Sequence, residues 1–297
     1  MDNLLLHATE DLLIEKASKL IKEQGIVQIR GLVEGEDLDI INEKLKNIFE
    51  NPALGGSIGY TQKDPHKKVY DALLLGQQTT NLVLNKSLID ISKSYFLGNP
   101  ILSHAYIKKN LGFNDFFFPY HSHTGSDREQ FNEGPYGLAM IAYLHDTDEG
   151  CFIYSPGTHK LGCLHGGNPY IYPKDLRNEI FNTKKRMIGK AGDIIIFDEA
   201  GFHGPENPCK KDRTTIMFEY QRKSDFGNKV RHPAPCLPHT LGELDKDQLE
   251  TLGVGGKARN EYEDFHLRTY NKSASYKLLK ILFKLFYKIN LVIFKIK

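Results

Sequence analysis

The chain has 297 residues, which suits one large domain or two small ones, and its 40% hydrophobic and 26% charged residues are typical of a globular protein rather than a disordered or fibrous one. The net charge is +2, but residues 272–297 contain seven lysines and no acidic residue. Residues 1–271 therefore carry a net charge of −5 (+2 minus 7), which argues against a nucleic-acid-binding surface on this part of the chain. The four cysteines are scattered and form no CxxC pair, so we expect reduced thiols. The N-terminus lacks the pattern of a signal peptide, so we expect a cytoplasmic location.

The first hundred residues are predicted to be mainly helical. Apolar residues recur at helical spacing over 11–23, and a short β-prone run follows at 26–32. A second helix is predicted over 36–49, and a helix pair over 80–97. Between them, residues 53–80 are rich in glycine with little periodicity, so we expect a long loop or lid there.

From Ile101 onward, short β-prone segments alternate with Gly, Pro, Asn and Asp. The predicted strands cover residues 101–109, 115–120, 136–144, 151–154, 186–188, 193–197 and 214–221. Regularly spaced short strands with turn signals predict a closed or sandwiched antiparallel sheet.

Histidines in this half of the chain have the spacing of metal ligands. Side chains alternate along a strand, so His121 and His123 would point to one face. His203 follows 82 residues after the first of them, just beyond another predicted strand, and Arg213 comes ten residues later. Two ligands on one strand and a third from a distant strand make a facial triad, which leaves coordination positions open for a co-substrate and dioxygen.

The order of several short motifs resembles the phytanoyl-CoA dioxygenase family of iron(II)- and 2-oxoglutarate-dependent oxygenases. The resemblance extends from about Gly25 to Tyr220, and its motifs are the opening GIVQIRGL, the strand with His121, YLHDTDEG at 143–150, SPGTHK at 155–160, the Gly192-Asp193 turn, and His203 with Arg213. Each motif alone is weak, but their order and spacing together are fairly specific.

The resemblance implies a mainly β fold with flanking helices, in which a double-stranded β-helix barrel is supported by the N-terminal helices. His121 and His203 would bind Fe(II), while Arg213 would bind the distal carboxylate of 2-oxoglutarate with help from Thr215. Tyr106 and Lys108, which alternate on an earlier strand, would line the same pocket. Residues 53–80 and 160–185 would form loops at the barrel mouth, and the reaction would oxidise an unactivated C–H bond of a small-molecule or lipid-linked substrate.

Position 123 departs from the family pattern, which has an aspartate where this chain has histidine. Three arrangements remain open: His123 binds the metal in a three-histidine site, Asp127 supplies the carboxylate, or the site is degenerate. A neutral imidazole in place of a carboxylate makes the metal site more positive by one charge. The alternative function is therefore a cupin-like protein that uses three histidines for non-oxidative metal binding.

Two acidic residues near His203 have two interpretations. Asp198 and Glu199 would either orient a ligand imidazole or form a solvated pair at a strand end. His104 and His145 are expected to be structural or exposed, and His159 to belong to a hydrogen-bonded turn.

The C-terminal segment, residues 275–297, has the pattern of a basic amphipathic helix. Lys277, Lys280, Lys284 and Lys288 fall on one stripe, and almost all other positions are apolar. We expect an oxygenase-like domain over 1–271 and a helix within 272–297. The helix would lie on an anionic membrane surface or, nearly as well, pack against the barrel or a second subunit.

Overall fold

The structure is a computed structural model that describes residues 2–58, 60–63, 66–112, 120–122, 137–161, 168–207, 209–222 and 236–254, together with residues 281, 282 and 285. Its helices are α1 (Leu13–Gln24), α2 (Gly35–Glu50), α3 (Gln77–Val83), α4 (Lys86–Phe96), α5 (Lys174–Asn182) and α6 (Lys246–Leu252). Its strands are β1 (Leu5–His7), β2 (Ile26–Arg30), β3 (Tyr60–Lys63), β4 (His66–Val69), β5 (Pro100–Asn110), β6 (Gly137–Tyr143), β7 (Thr147–Tyr154), β8 (Lys185–Gly189), β9 (Ile194–Asp198), β10 (His203–Pro205) and β11 (Arg213–Arg222).

The strands form two separate sheets. The major sheet has eight strands in the order β1-β2-β9-β6-β11-β5-β4-β3, and the minor sheet has three in the order β10-β7-β8. The mainly β fold with flanking helices is therefore confirmed as a jelly-roll-like arrangement. The expectation of a closed barrel is not met, because no ladder within the described ranges joins the two sheets.

The outer face of the major sheet is covered by the N-terminal helices. Apolar residues on one side of each helix, such as Ala17 and Ile21 of α1 and Ile41 of α2, join Val27 and Ile216 of the sheet in one buried cluster. Burial of such a stripe, rather than helix propensity alone, stabilises helices of this length. The helices thus leave the inner face of the sheet for the site.

A second apolar cluster lies between the two sheets. It contains Ile141 and Phe197 of the major sheet and Phe152 of the minor sheet. Tyr143 joins the sheets directly, because its hydroxyl donates to the carbonyl of Met187 at 2.7 Å and accepts from the amide of Phe152 at 3.0 Å. This contact fixes the spacing of the two sheets beside the site.

The opening motif and the Gly192-Asp193 turn meet in one hydrogen-bond network. The fully buried Asp193 carboxylate accepts from Arg30 Nε at 2.9 Å and Nη2 at 2.7 Å, and from Gln28 Nε2 at 2.7 Å. Gly192 has φ +85°, which favours glycine in this turn. These motif residues therefore hold the start of β9 against β2.

Within the described ranges the predicted helices and strands are present, but residues 53–80 differ from the prediction and α5 and α6 were not predicted. The predicted strand 115–120 lies outside the described residues apart from Tyr120. The expected mouth loop over 53–80 instead contains β3 and β4, and β4 pairs with β5. These strands contain mostly polar residues, among them Lys67 and Lys68, so they lack the alternation of apolar and polar residues that predicts a strand. The short β1 and β10 were also missed, because three-residue strands carry too little pattern to detect.

The other expected mouth segment, residues 160–185, contains α5 and a short 3-10 helix, Pro169–Ile171, in its described part. The predicted C-terminal helix lies outside the described residues except for Ile281, Leu282 and Leu285, which are exposed and do not establish it. The boundary at residue 271 and membrane association remain predictions. Within the described ranges, no helix has the length and apolar character required to cross a membrane.

Candidate active site

Three neighbouring strands of the major sheet present alternate residues to the inner face. In the register of β5, β11 and β6, paired residues form rows across the three strands. The first row is Lys108, Thr215 and Tyr143, and the second is Tyr106, Met217 and Ile141. The third row is His104, Glu219 and Ala139. Directly opposed residues in a sheet share a face, so each row presents its side chains together. The inner wall is therefore basic at one end, apolar in the middle and acidic at the other.

All residues of these rows except Tyr143 line a cavity of about 210 Å³ between the sheets. The minor sheet contributes Phe152 and His203, and β9 contributes Phe197. His121 and Arg213 also line it. A concave, mostly apolar space with a few convergent polar groups is the usual form of a small-molecule site.

His121 and His203 are adjacent in this cavity. Their backbones form an antiparallel bridge, with N–H···O distances of 2.9 Å from His121 to His203 and 2.7 Å in the reverse direction. Their ring centroids are 4.7 Å apart. Tyr120 fixes this bridge, because its hydroxyl donates to the Phe202 carbonyl at 2.9 Å and contacts Ser155 Oγ at 2.7 Å.

One ring nitrogen of His203 is held by the backbone. Nδ1 lies 2.8 Å from the Gly201 carbonyl oxygen, which only accepts hydrogen bonds, so Nδ1 carries the proton. The lone pair of this tautomer is then on Nε2, which is the arrangement of a metal-binding imidazole. The rings of Phe197 and Phe152, with centroids 4.9 and 5.7 Å from that of His203, restrict its rotation.

The turn that presents the Gly201 carbonyl is anchored by Asp198. One carboxylate oxygen accepts from the amide of Ala200 at 2.8 Å, and the other accepts from the hydroxyl of Tyr95 on α4 at 2.6 Å. Asp198 is 2% exposed, so the interpretation as a solvated residue is wrong for it. Its structural role is to hold the turn from which His203 is oriented.

Tyr95→Phe is expected to lower the free energy of unfolding by about 1–3 kcal/mol, because it removes a donor from a buried carboxylate. It should also weaken metal binding, though less than loss of a histidine, because the Gly201 carbonyl is then less firmly placed. Urea denaturation and a metal titration measure the two effects.

The control is Tyr170→Phe, at an exposed position, which should change neither the stability nor the metal affinity. Unaltered metal affinity in Tyr95→Phe would show that the turn does not position His203.

Arg213 lines the cavity and has a buried donor that no described residue satisfies. Its side chain is 7% exposed, and its Nη1 donates to the carbonyl of Gly150, but its buried Nε has no hydrogen-bond partner among the described residues. A buried guanidinium N–H without an acceptor is costly. A carboxylate accepts from two guanidinium nitrogens at once, so a carboxylate ligand fits this position.

Two lysines extend the positive charge around Arg213. Burial, followed by the positive charges of Lys68 and Arg213, lowers the pKa of Lys108 to about 7. Burial, followed by the charges of Lys108 and Lys68, lowers the pKa of His66 to about 4, so it is neutral at pH 7. Arg213 and Lys108 line this end of the cavity, and Lys68 lies opposite Lys108 on β4, so this end favours a negatively charged ligand, which would also favour the protonated form of Lys108.

The opposite end of the cavity contains carboxylates. Glu219 is 6% exposed; its Oε2 lies 3.3 Å from Ser103 Oγ and 3.2 Å from His104 Nδ1. Glu199 also lines the cavity. Burial, followed by the negative charges of both glutamates, raises the pKa of Tyr106 far above its usual range, so Tyr106 remains a neutral hydroxyl.

The structure brings together six of the seven predicted site residues, since His121, His203, Arg213, Thr215, Tyr106 and Lys108 line one cavity. His123 and the alternative ligand Asp127 lie outside the described residues. Within the described part of the chain no cluster of three metal-ligating side chains is present. The third ligand therefore remains a prediction.

Sequence reasoning missed the acidic end. The strand alternation that placed Thr215 beside Arg213 continues to Met217 and Glu219, and it was not followed that far. His104 was expected to be structural or exposed, but it lines the cavity, whereas His145 and His159 are structural as expected. His145 accepts from the amide of Thr214 at 2.8 Å, and His159 contacts the carbonyl of Lys22 at 3.1 Å.

Comparisons with known proteins relate this arrangement to solved structures. No family model and no curated protein matches the sequence. EctD from S. alaskensis with 2-oxoglutarate and 5-hydroxyectoine aligns at 16% identity over 76% of this chain and 82% of its own, with a TM-score of 0.59. The non-heme alpha ketoglutarate dependent epimerase SnoN from nogalamycin biosynthesis aligns at 15% identity over 70% and 83%, with a TM-score of 0.56.

HygX from Streptomyces hygroscopicus with nickel and 2-oxoglutarate bound aligns at 17% identity over 70% of this chain and 87% of its own, with a TM-score of 0.51. The chain has the fold of 2-oxoglutarate-dependent enzymes. At these identities the likeness shows the fold alone, so the chemistry must be argued from the residues of the cavity. Membership of the phytanoyl-CoA dioxygenase family remains a prediction.

Proposed function

We propose that this protein is an iron(II)- and 2-oxoglutarate-dependent oxygenase that acts on a small molecule. The observation that carries the proposal is that Arg213, whose buried Nε has no hydrogen-bond partner among the described residues, lines the same cavity as the paired His121 and His203. Solved structures of the same fold hold iron, nickel or 2-oxoglutarate. The two histidines thus fit the iron, and Arg213 fits the carboxylate of 2-oxoglutarate.

The residues assign a position to each group. His121 and His203 would hold the metal, with the Gly201 carbonyl fixing the His203 tautomer. Arg213 would pair with the distal carboxylate of 2-oxoglutarate, and Thr215 lies next to it on the same face of β11 to add a hydroxyl donor. When bound, iron and 2-oxoglutarate supply the oxidising power, using dioxygen and releasing succinate and carbon dioxide.

The chain's own side chains position the reactants and exclude water. Phe152, Phe197 and Ile141 form the apolar wall of the cavity. Charges act more strongly in such a low-dielectric space, so the pairing of Arg213 with a carboxylate is stronger than on the surface. The apolar wall also keeps water away from the reacting C–H bond.

The third ligand separates the proposed function from its alternative. His123 would complete a three-histidine site, and Asp127 would complete the usual histidine and carboxylate set. A cupin-like protein with non-oxidative metal binding needs the histidines but not Arg213. The Arg213 donor, which no described residue satisfies, therefore favours the oxygenase over this alternative.

Iron-dependent conversion of 2-oxoglutarate to succinate in air tests the proposed function. We expect slow uncoupled succinate formation by the iron-loaded protein even without the substrate, and none with His203→Ala. The His239→Ala variant, changed at an exposed histidine, is the control and should behave like the wild type. Succinate formation that is equal in wild type and His203→Ala would contradict the proposal.

Binding of 2-oxoglutarate is expected to weaken as the pH rises above 7. Lys108 titrates at about 7 in the free protein, and a nearby dianion would raise this pKa, so binding takes up a proton. The affinity is then greatest below pH 7 and should fall roughly tenfold between about pH 7 and pH 8.5. Calorimetric titration across this range is the measurement.

Lys108→Met is the matched variant for this titration. It should bind 2-oxoglutarate more weakly and lose the pH dependence, while its unfolding temperature rises because a buried charge is removed. A pH-independent affinity in the wild type would show that Lys108 does not contact the co-substrate.

A further inference from the structure

We propose that a second cavity, on the outer face of the major sheet, binds the phosphate group of a small organic molecule. This outer cavity has a volume of about 280 Å³ and lies between α2 and the strands β4, β5 and β11. It shares no lining residue with the cavity that contains His121 and His203. Binding there requires neither iron nor 2-oxoglutarate, so the inference does not rest on the proposed function.

The sheet side of the outer cavity is a row of polar residues. Lys67, Lys109 and Thr214 are paired with one another across β4, β5 and β11. Successive side chains of a strand point to opposite faces, so this row points away from Lys108 and Thr215, which line the inner cavity. All three members of the row are half-buried and line the outer cavity. The sheet thus offers two ammonium groups and one hydroxyl to this space.

The opposite side of the outer cavity is one face of α2. Residues at spacings of three and four share a helix face, and those that line the cavity here are Leu45, Lys46, Phe49 and Glu50. Asn42, on the same face, donates from Nδ2 to the carbonyl of Leu144 at 2.9 Å, which holds α2 against the sheet. The space between helix and sheet is therefore fixed, and it has both charged and apolar walls.

The lysines of the outer cavity need a counter-charge. Lys67 and Lys109 are directly opposed on neighbouring strands, and their ammonium groups lie 5.9 and 5.8 Å from the centroid of the Phe49 ring. Like charges in opposed positions of a sheet are destabilising. Lys109 pairs with Asp212 at 2.9 Å, but among the described residues no carboxylate forms an ion pair with Lys67 or Lys46. An anion between the two walls would offset this repulsion.

A phosphate group matches the donors on the two walls. Its oxygens can accept from Lys46 on the helix side and from Lys67 and Thr214 on the sheet side, and lysine is a common point-charge ligand of phosphate. Glu50 and Asp212 offset only two of the three lysine charges, so one positive charge remains (3 minus 2). The cavity is close in volume to the smallest sites for organic ligands, and Leu45 and Phe49 would contact an apolar part of the molecule.

The test uses the metal-free full-length protein and two probes with the same ring, phenyl phosphate and phenol. We expect calorimetry and saturation-transfer NMR to show one phenyl phosphate bound per chain and no binding of phenol. Lys67→Met should weaken phenyl phosphate binding by about tenfold or more, since it removes a charge-assisted hydrogen bond. Lys19→Met, at an exposed position of α1, is the matched control and should bind phenyl phosphate like the wild type.

Lys46→Glu is a second variant, which reverses a charge at an exposed position of the helix wall. Phenyl phosphate binding should be lost while the protein remains folded. No binding of phenyl phosphate by the wild type would overturn the proposal. Equal affinity in the wild type, Lys67→Met and Lys46→Glu would also overturn it, as would equal binding of phenol.

Arg213→Gln distinguishes the outer cavity from the inner one. Arg213 lines the inner cavity alone, so this variant should bind phenyl phosphate with normal affinity. Loss of binding in Arg213→Gln but not in Lys67→Met would place the anion in the inner cavity and contradict the proposal. Because iron and 2-oxoglutarate are absent, the result does not depend on whether the proposed oxygenase activity is correct.

Discussion

Arg213→Gln is expected to weaken 2-oxoglutarate binding by about two orders of magnitude or more. The guanidinium is buried and its Nε lacks an acceptor among the described residues, so a carboxylate there would form charge-assisted bonds that glutamine cannot replace. Losing such a buried charge pair typically costs 2–5 kcal/mol, or about 30- to 4,000-fold in affinity. Anaerobic calorimetric titration of the metal-loaded protein with 2-oxoglutarate is the measurement.

The control for this variant is Arg177→Gln on α5, which does not line the cavity. It should bind 2-oxoglutarate like the wild type. Metal binding by Arg213→Gln should also be unchanged, because the metal would be held by histidines. If Arg213→Gln binds 2-oxoglutarate with normal affinity, Arg213 has a structural role through its contact with the Gly150 carbonyl.

His203→Ala is expected to weaken iron binding by more than about 100-fold. Residues that only orient a metal ligand already contribute about 10- to 100-fold to metal affinity, and His203 would bind the metal directly. The ring of His203 is fixed on one side by the Gly201 carbonyl and on another by Phe197, so it is already placed for the metal. Metal analysis after equilibrium dialysis measures the loss. His121→Ala should show a similar loss, and His239→Ala none.

The same dialysis separates the candidates for the third ligand. If His123 completes the site, His123→Ala should lower iron affinity strongly and Asp127→Ala should change it little; the opposite pattern would identify Asp127. Normal iron affinity in His203→Ala would contradict the metal site itself.

Much of the site was predictable from local patterns. Alternation on β5 and β11 placed Tyr106 with Lys108 and Arg213 with Thr215, and the register of the two strands joins these pairs on one face. The helices were predictable because their apolar residues have a regular helical period. Such features depend on residues that are close in the sequence.

Features that depend on distant residues were not predictable in the same way. The family resemblance, not local periodicity, placed His121 and His203 in one site, and the backbone bridge between these two segments 82 residues apart was not predicted. The role of Asp198 depends on Tyr95 of α4, 103 residues earlier. The separation of the two sheets follows from the packing of Tyr143, Phe152 and Met187, which local periodicity does not encode.

The most direct test of the account is an anaerobic titration of the iron-loaded protein with 2-oxoglutarate, followed by visible absorption. We predict a weak metal-to-ligand charge-transfer band that saturates at one 2-oxoglutarate per iron in the wild type. The band should be absent in His203→Ala and should require far more 2-oxoglutarate in Arg213→Gln. An iron-loaded wild type that shows no band at saturating 2-oxoglutarate would contradict the assignment of this cavity to oxygenase chemistry.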